Sequence, residues 1–325
     1  MTADSGTACR YAGRMSAIHG LRFGSDPTAG SDGRDVDIDL GATVDLSVPI
    51  VFGKPDSRAF SLPPATSAAV EAGSFVGDVR RGGSCNCETH HLTPHADGTH
   101  TEGPGHLLAA RSPVRMTEPM CVALLVRVTP RPLGDVADDV SGNHRHDDLV
   151  VDDVSVRDAI DAAVQASTVA PWLPAPRALI IATGSGAARR QVRFSGQNPP
   201  YLTVDAAIAI RERGFMHLLV DLPSIDREDD GGLLAAHRAF FEVPIGLGAD
   251  TATATATDTD TDTDTDTQPL PRTVTELIAV DDDVAVGLYA LFLQVAPIEA
   301  DAAPSRPVIA PLRLSPRPIA AGAPS

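Results

Sequence analysis

His90-His91-Leu92-Thr93-Pro94-His95-Ala96-Asp97-Gly98-Thr99-His100-Thr101-Glu102-Gly103-Pro104-Gly105-His106 is the stretch on which the reading of this chain turns. It holds five of the ten histidines of the sequence, with a Glu two residues after one of them and Gly or Pro at the turns between. Imidazole and carboxylate are the common protein ligands of zinc and similar divalent metals. Packed together with almost no apolar residue among them, they read as a metal site and not as core. In an extended Thr99–Glu102 segment, His100 and Glu102 lie on one face, as two ligands of one metal must. The preceding Cys85–His95 alternates as a strand would, which sets His91 and His95 on one face and His90 on the other.

Outward from this stretch, the chain alternates in type. Val44–Phe52, Met120–Val128, Ala178–Thr183, Phe215–Leu222, Thr273–Val280 and Val286–Val295 are apolar runs of strand length. Val154–Ala166, Leu202–Arg213 and Gly232–Phe241 carry apolar residues at helical spacing. Short helices are also expected at Ala65–Ala72 and from Leu107, and one more extended segment after Ala303. Strands alternating with helices predict a single mixed α/β domain. It spans residues 43–315, flanked by a disordered tail over 1–42 and a flexible tail over 316–325. Residues 249–268 are a Thr-Ala and Thr-Asp repeat, which contains nothing to build a core from and reads as a disordered surface insertion.

Composition narrows the partners. The net charge of −17 on 325 residues offers no field for phosphate backbones or anionic lipid, so nucleic acid and membrane are not expected as partners. No apolar run reaches the length of a membrane span. Cys9, Cys85, Cys87 and Cys121 are too few and too scattered for a disulfide framework or a Cys-rich zinc site. The N-terminus lacks the apolar segment of a secretory signal, and a cytoplasmic setting is expected.

The stretch Gly98-Thr99-His100-Thr101-Glu102-Gly103-Pro104-Gly105-His106 resembles the HxGTHxDxPxH signature of the metal-dependent cyclase-like hydrolases, the kynurenine formamidase and isatin hydrolase type of enzyme. Four further segments match in order: Val44-Asp45-Leu46-Ser47, the run from His217 to Asp226, Leu234-Ala235-Ala236-His237 and Thr275-Glu276-Leu277. There are two departures. His95 is followed by one residue more than the signature has before its Gly, and Glu102 stands where the signature has Asp.

The resemblance implies the family's swivelling β/β/α fold. It implies one or two divalent ions, zinc or manganese, held by His95, His100, Glu102, His237 and Glu276. His106 would be the general acid and base, and Asp221 and Ser224 would line the substrate pocket. The reaction implied is hydrolysis of a small-molecule amide at a non-peptide C–N bond, with an arylformamide of the N-formylkynurenine type as the leading substrate. Hydrolysis of a cyclic amide or lactone, a biosynthetic cyclase step, and a non-catalytic metal-binding role on the same fold are the alternatives. A homodimer or higher homo-oligomer is expected. Gly103 and Gly105 are expected to keep the backbone thin where substrate approaches. His90, His91, His144, His146 and His217 are read as ordinary surface or core histidines, and Gly184-Ser185-Gly186 as a strand-to-helix turn.

Overall fold

The computed structural model describes residues 18–21, 36–109, 112–138, 143–169, 173–244 and 270–314. The repeat insertion, the tail after 315, Cys9 and most of the expected N-terminal tail lie outside the described residues. Within that tail, Ile18–Leu21 and Val36–Ile38 form strands, and the second pairs with the last strand of the chain, so the ordered domain begins before residue 43.

Seven strands close into a barrel. They are β1 (His100–Glu102), β2 (Met120–Arg127), β3 (Ala178–Ala182), β4 (His217–Val220), β5 (Thr273–Glu276), β6 (Gly287–Val295) and β7 (Ala302–Leu314). The ring runs β7-β6-β2-β3-β4-β5-β1 and returns to β7. The β2-β3-β4-β5 neighbours are parallel and the others antiparallel. Parallel neighbours need a crossover. The crossovers hold the short helix Gly186–Gln191 and three helices that cover the sheet: α1 (Asp153–Ala166), α2 (Val204–Glu212) and α3 (Ala235–Phe241).

The apolar runs follow from this. β3 is buried at every position because its two faces meet two different cores. Ala123, Leu125, Ala178, Ile180, Leu219, Leu291 and Ile309 fill the barrel interior. Leu124, Val126, Leu179, Ile181, Val220 and Val274 face outward onto Val156 and Ile160 of α1, Ile210 of α2, and Phe240 and Phe241 of α3. The Asp152 carboxylate caps α1 by accepting from Ser155 N–H at 3.0 Å, and the Thr203 hydroxyl caps α2 by accepting from Ala206 N–H at 3.1 Å.

Several local expectations fail for tertiary reasons. Thr66–Ala69 is a strand paired with Glu88–His91, not a helix. An isolated Ala-rich turn is marginal in water, and a waiting partner strand decides its state. Val44–Phe52 is strand only at Val44–Asp45, since Pro49 follows soon after and has no donor for a ladder. The Cys85–His95 strand survives only at Glu88–His91, because Pro94 opens a helical turn over Pro94–Asp97. That turn takes up the extra residue and carries His95. The chain after Gly103 forms a 3-10 turn over Pro104–Leu107 and stops, so no helix runs on from Leu107.

Candidate metal centre

The outer face of the β1–β5 pair, beneath α3, carries the site. Antiparallel register sets Glu276 of β5 directly opposite His100 of β1, and Val274 opposite Glu102. Residues opposed across a strand pair share a face, so His100, Glu102 and Glu276 emerge together. Their ligand atoms lie within 4.8 Å of one another, as do those of His95, Glu102 and His106. Glu102 belongs to both groups. Its Oε2 is 3.1 Å from His95 Nδ1 and 3.8 Å from His106 Nε2, and its Oε1 is 2.5 Å from His237 Nε2. His100 Nε2 lies 3.4 Å from Glu276 Oε2, and His237 Nε2 lies 3.4 Å from Glu276 Oε1. The six residues named from the sequence as ligands or acid–base therefore meet in one cluster, although His237 and Glu276 come from far along the chain.

The ring orientations are set from behind. His100 Nδ1–H donates to Gly98 O at 3.1 Å, which turns Nε2 toward Glu276. His237 Nδ1–H donates to Asp226 Oδ2 at 2.6 Å. Asp226 also accepts from the backbone N–H of Ala236 at 2.7 Å and of His237 at 3.1 Å, so it serves as the missing N-terminal cap of α3. Glu276 Oε1 accepts from Ile225 N–H at 2.8 Å. Thr99 fixes the adjoining backbone: its hydroxyl donates to Leu277 O at 2.5 Å and accepts from Val48 N–H at 2.7 Å. Leu277 sits at φ 56°, a left-handed conformation costly for a branched residue, immediately after Glu276. Neither Asp226 nor Thr99 was singled out from the sequence. The run Ser224-Ile225-Asp226 eleven residues before His237 was the only available signal for the first.

His100 Nε2, Glu102 Oε1 and His237 Nε2 are buried without a hydrogen-bond partner among the described residues. The approach of His237 Nε2 to Glu102 Oε1 lacks hydrogen-bond direction although it is close. With Nδ1–H given to Asp226, a neutral His237 presents a lone pair to a carboxylate oxygen, a contact relieved by a proton on Nε2 or by a metal cation held between the two. The same demand appears in the ionisation of the cluster. Burial pushes the Glu102 carboxyl up, but His237 and His106 and the contact with His95 outweigh it and hold it well below the usual range. Burial opposes a charge on His237, yet Glu102, Asp226 and Glu276 raise its pKa well above the ordinary imidazole value. His95 is raised, against burial, by Glu102, Glu276 and Asp301. Burial and Glu102 push Glu276 up, and contacts with His100 and His237 bring it below its ordinary value. Such a set of imidazoles and carboxylates, with inward nitrogens freed and tautomers fixed by outer partners, fits a divalent ion.

The sequence matches the model of the family described as "Putative cyclase" over residues 38–227, more than half of the chain. The chain belongs to this family. No curated protein matches it at a significant level. Among solved structures, a predicted metal-dependent hydrolase from Bacillus stearothermophilus is similar at 14% identity and a TM-score of 0.47, covering 82% of this chain and 97% of that one. Isatin hydrolase A from Labrenzia aggregata is similar at 15% identity and a TM-score of 0.49, covering 82% and 93%. Isatin hydrolase A from Ralstonia solanacearum is similar at 15% identity and a TM-score of 0.47, covering 83% and 91%.

Two residues expected to line a pocket of this cyclase-family chain do other work. Asp221 is buried, and its carboxylate is filled by Thr183 N–H at 2.9 Å, the Thr183 hydroxyl at 2.7 Å, Gly184 N–H at 3.0 Å and Arg189 Nε at 3.1 Å. It therefore ties the ends of β3 and β4 together, and the Gly184 turn spends its N–H on this internal carboxylate. Ser224 is buried and accepts from Asp226 N–H at 3.1 Å, which holds the turn bearing Asp226. Gly105 is thin for chain packing and not for substrate, since a Cβ there would stand 2.2 Å from Ser112 O. A Cβ at Gly103 would meet only ordinary contacts, at 3.8 Å or beyond. His90 stacks on Phe52 with ring centroids 4.3 Å apart, His91 is exposed, and both stand outside the cluster. His217 is a core residue on the barrel interior, and burial pushes its pKa down to about 4. No helix among the described residues is long and apolar enough to cross a membrane.

Proposed function

We propose that the protein is a metal-dependent hydrolase of a non-peptide amide C–N bond, with an arylformamide of the N-formylkynurenine type as substrate. The observation that carries this is the convergence of three buried, unpartnered ligand atoms, His100 Nε2, Glu102 Oε1 and His237 Nε2, beside a partly exposed histidine. His95, His100, Glu102, His237 and Glu276 would hold one or two divalent ions, zinc or manganese. A divalent ion in such a site lowers the pKa of water toward neutrality and offsets negative charge developing on a carbonyl oxygen.

The chain supplies proton transfer and orientation. His106 is about a quarter exposed, so a small substrate can reach it, and its Nε2 faces the shared carboxylate of Glu102. In the reaction it takes a proton from the attacking water and delivers it to the departing nitrogen, so that amide and water become acid and amine with no net proton change. The glycine-flanked turn that carries His106 is held by His106 N–H donating to Gly103 O at 3.0 Å. Buried Glu102 and Glu276 neutralise charge in the site, and Asp226 and Gly98 keep the imidazole nitrogens aimed inward.

The test is hydrolysis of an arylformamide panel by protein loaded with zinc or manganese, before and after chelation. His106→Ala should abolish turnover and keep the bound metal. Hydrolysis that continues undiminished after chelation would overturn the proposal.

A further inference from the structure

We infer that Asp301 is the positioning residue for His106, holding its ring so that Nε2, and not Nδ1, faces the reacting atoms. The inference rests on the reading of His106 as the proton carrier. His106 Nδ1 lies 3.2 Å from Asp301 Oδ2, and His106 Nε2 points the other way, 3.8 Å from Glu102 Oε2. An imidazole that donates Nδ1–H to a carboxylate carries its lone pair on Nε2, the form a general base needs on the site side.

Asp301 is held in place for this contact. Its carbonyl accepts from Gly103 N–H at 3.1 Å, and the next residue, Ala302, is paired opposite Glu102 where β7 meets β1. Val114 N–H donates to the preceding carbonyl, Ala300 O, at 3.0 Å. The backbone of Asp301 is therefore clamped to the turn that bears His106. Among the described residues, the charged neighbours of its carboxylate are His106 and, at 3.9 Å, His95 Nε2. No Arg or Lys among the described residues pairs with it, so the carboxylate is available to the imidazole. His95 meets Glu102 through Nδ1 at 3.1 Å, and the longer contact to Asp301 falls on its other nitrogen. Asp301 thus stands behind the cluster on the side away from Glu102.

The experiment compares zinc-loaded wild type, Asp301→Ala and Asp301→Asn, each labelled with 15N-histidine. The His106 signals are assigned by their loss in His106→Ala. Wild type should show His106 with its proton on Nδ1, and Asp301→Ala should show the other tautomer or a mixture. Asp301→Asn retains an oxygen acceptor and should restore the Nδ1–H form. Zinc content should be equal in all three. On an arylformamide that wild type turns over, Asp301→Ala should lower kcat by about 10–100-fold with KM little changed, and Asp301→Asn should recover part of the loss. An unchanged His106 tautomer in Asp301→Ala would overturn the inference. Loss of zinc in Asp301→Ala would overturn it too, by making Asp301 a ligand. If the tautomer shifts as expected but wild type hydrolyses no amide, the positioning stands and the hydrolase reading falls.

Discussion

Replacing Asp226 with Asn removes one charge and changes almost no shape, and the structure sets the size of the effect. Three donors converge on the two oxygens of Asp226: Ala236 N–H on Oδ1, and His237 N–H and His237 Nδ1–H on Oδ2. An amide has one oxygen. Whichever way it is turned, a buried N–H then faces an NH2 group. One unsatisfied buried donor costs about 1–3 kcal/mol, a large part of the roughly 5–15 kcal/mol that holds a domain folded. The same change removes the carboxylate that fixes the His237 tautomer, and loss of such an outer partner lowers metal affinity by about 10–100-fold. At about 1.4 kcal/mol per tenfold, that is a further loss of roughly 1.4–2.8 kcal/mol, confined to the loaded protein. Two assays separate the parts. Urea unfolding of metal-free Asp226→Asn should show a lower midpoint at unchanged slope, and a zinc titration against a competing chelator should show the weaker binding. If the metal-free protein is destabilised but zinc binds within about twofold of wild type, Asp226 serves only to cap α3, and the argument that it aims His237 at a metal is refuted.

Three further predictions concern the site and its surroundings. Folded-state pKa values of His95 and His237 stand above the ordinary 6.5, so protons and metal compete for these rings. Zinc affinity should therefore still be rising with pH above 6.5, measured by chelator competition at several pH values; a flat profile above 6.5 would contradict it. In the metal-free protein, the raised His237 contributes stability that is full below 6.5 and is lost as pH climbs through its folded value. The depressed Glu102 contributes stability present above 4.5 and lost as pH falls through its folded value. The metal-free protein should thus resist urea best between those limits, and a maximum well above 6.5 would show that other groups dominate. Thr99→Val should leave Val48 N–H and Leu277 O without their partner, at about 1–3 kcal/mol each, and should lower the thermal midpoint of the metal-free and loaded protein alike; an unchanged midpoint would mean that water replaces the hydroxyl.

The helices and parallel strands were legible because burial on two faces leaves continuous apolar runs, as at Ala178–Ala182, and because burial of one helix face leaves apolar residues at helical spacing, as at Val156, Ile160 and Ala163. Local irregularity was not. The Ala65–Ala72 segment follows its partner strand and not its composition. Alternation alone sets His95 on a strand face, yet Pro94 forms a helical turn, which brings the ring to Glu102 by a different path.

The sequence by itself determined the chemistry: which residue types are present, and that His100 and Glu102, two apart in a strand, must share a face. That much follows from the period of an extended chain. Only the tertiary structure decided which atoms meet. The pairing of His100 with Glu276 depends on strand register, which one residue of slip would destroy. The roles of Asp226, Asp301 and Thr99 depend on contacts that bridge long stretches of chain, 195 residues in the case of Asp301 and His106. Asp221, a plausible pocket residue in one dimension, is fully taken up by donors at the end of β3. A carboxylate looks the same in sequence whether it faces a metal, a backbone amide or an imidazole; the groups that the fold places around it set its work.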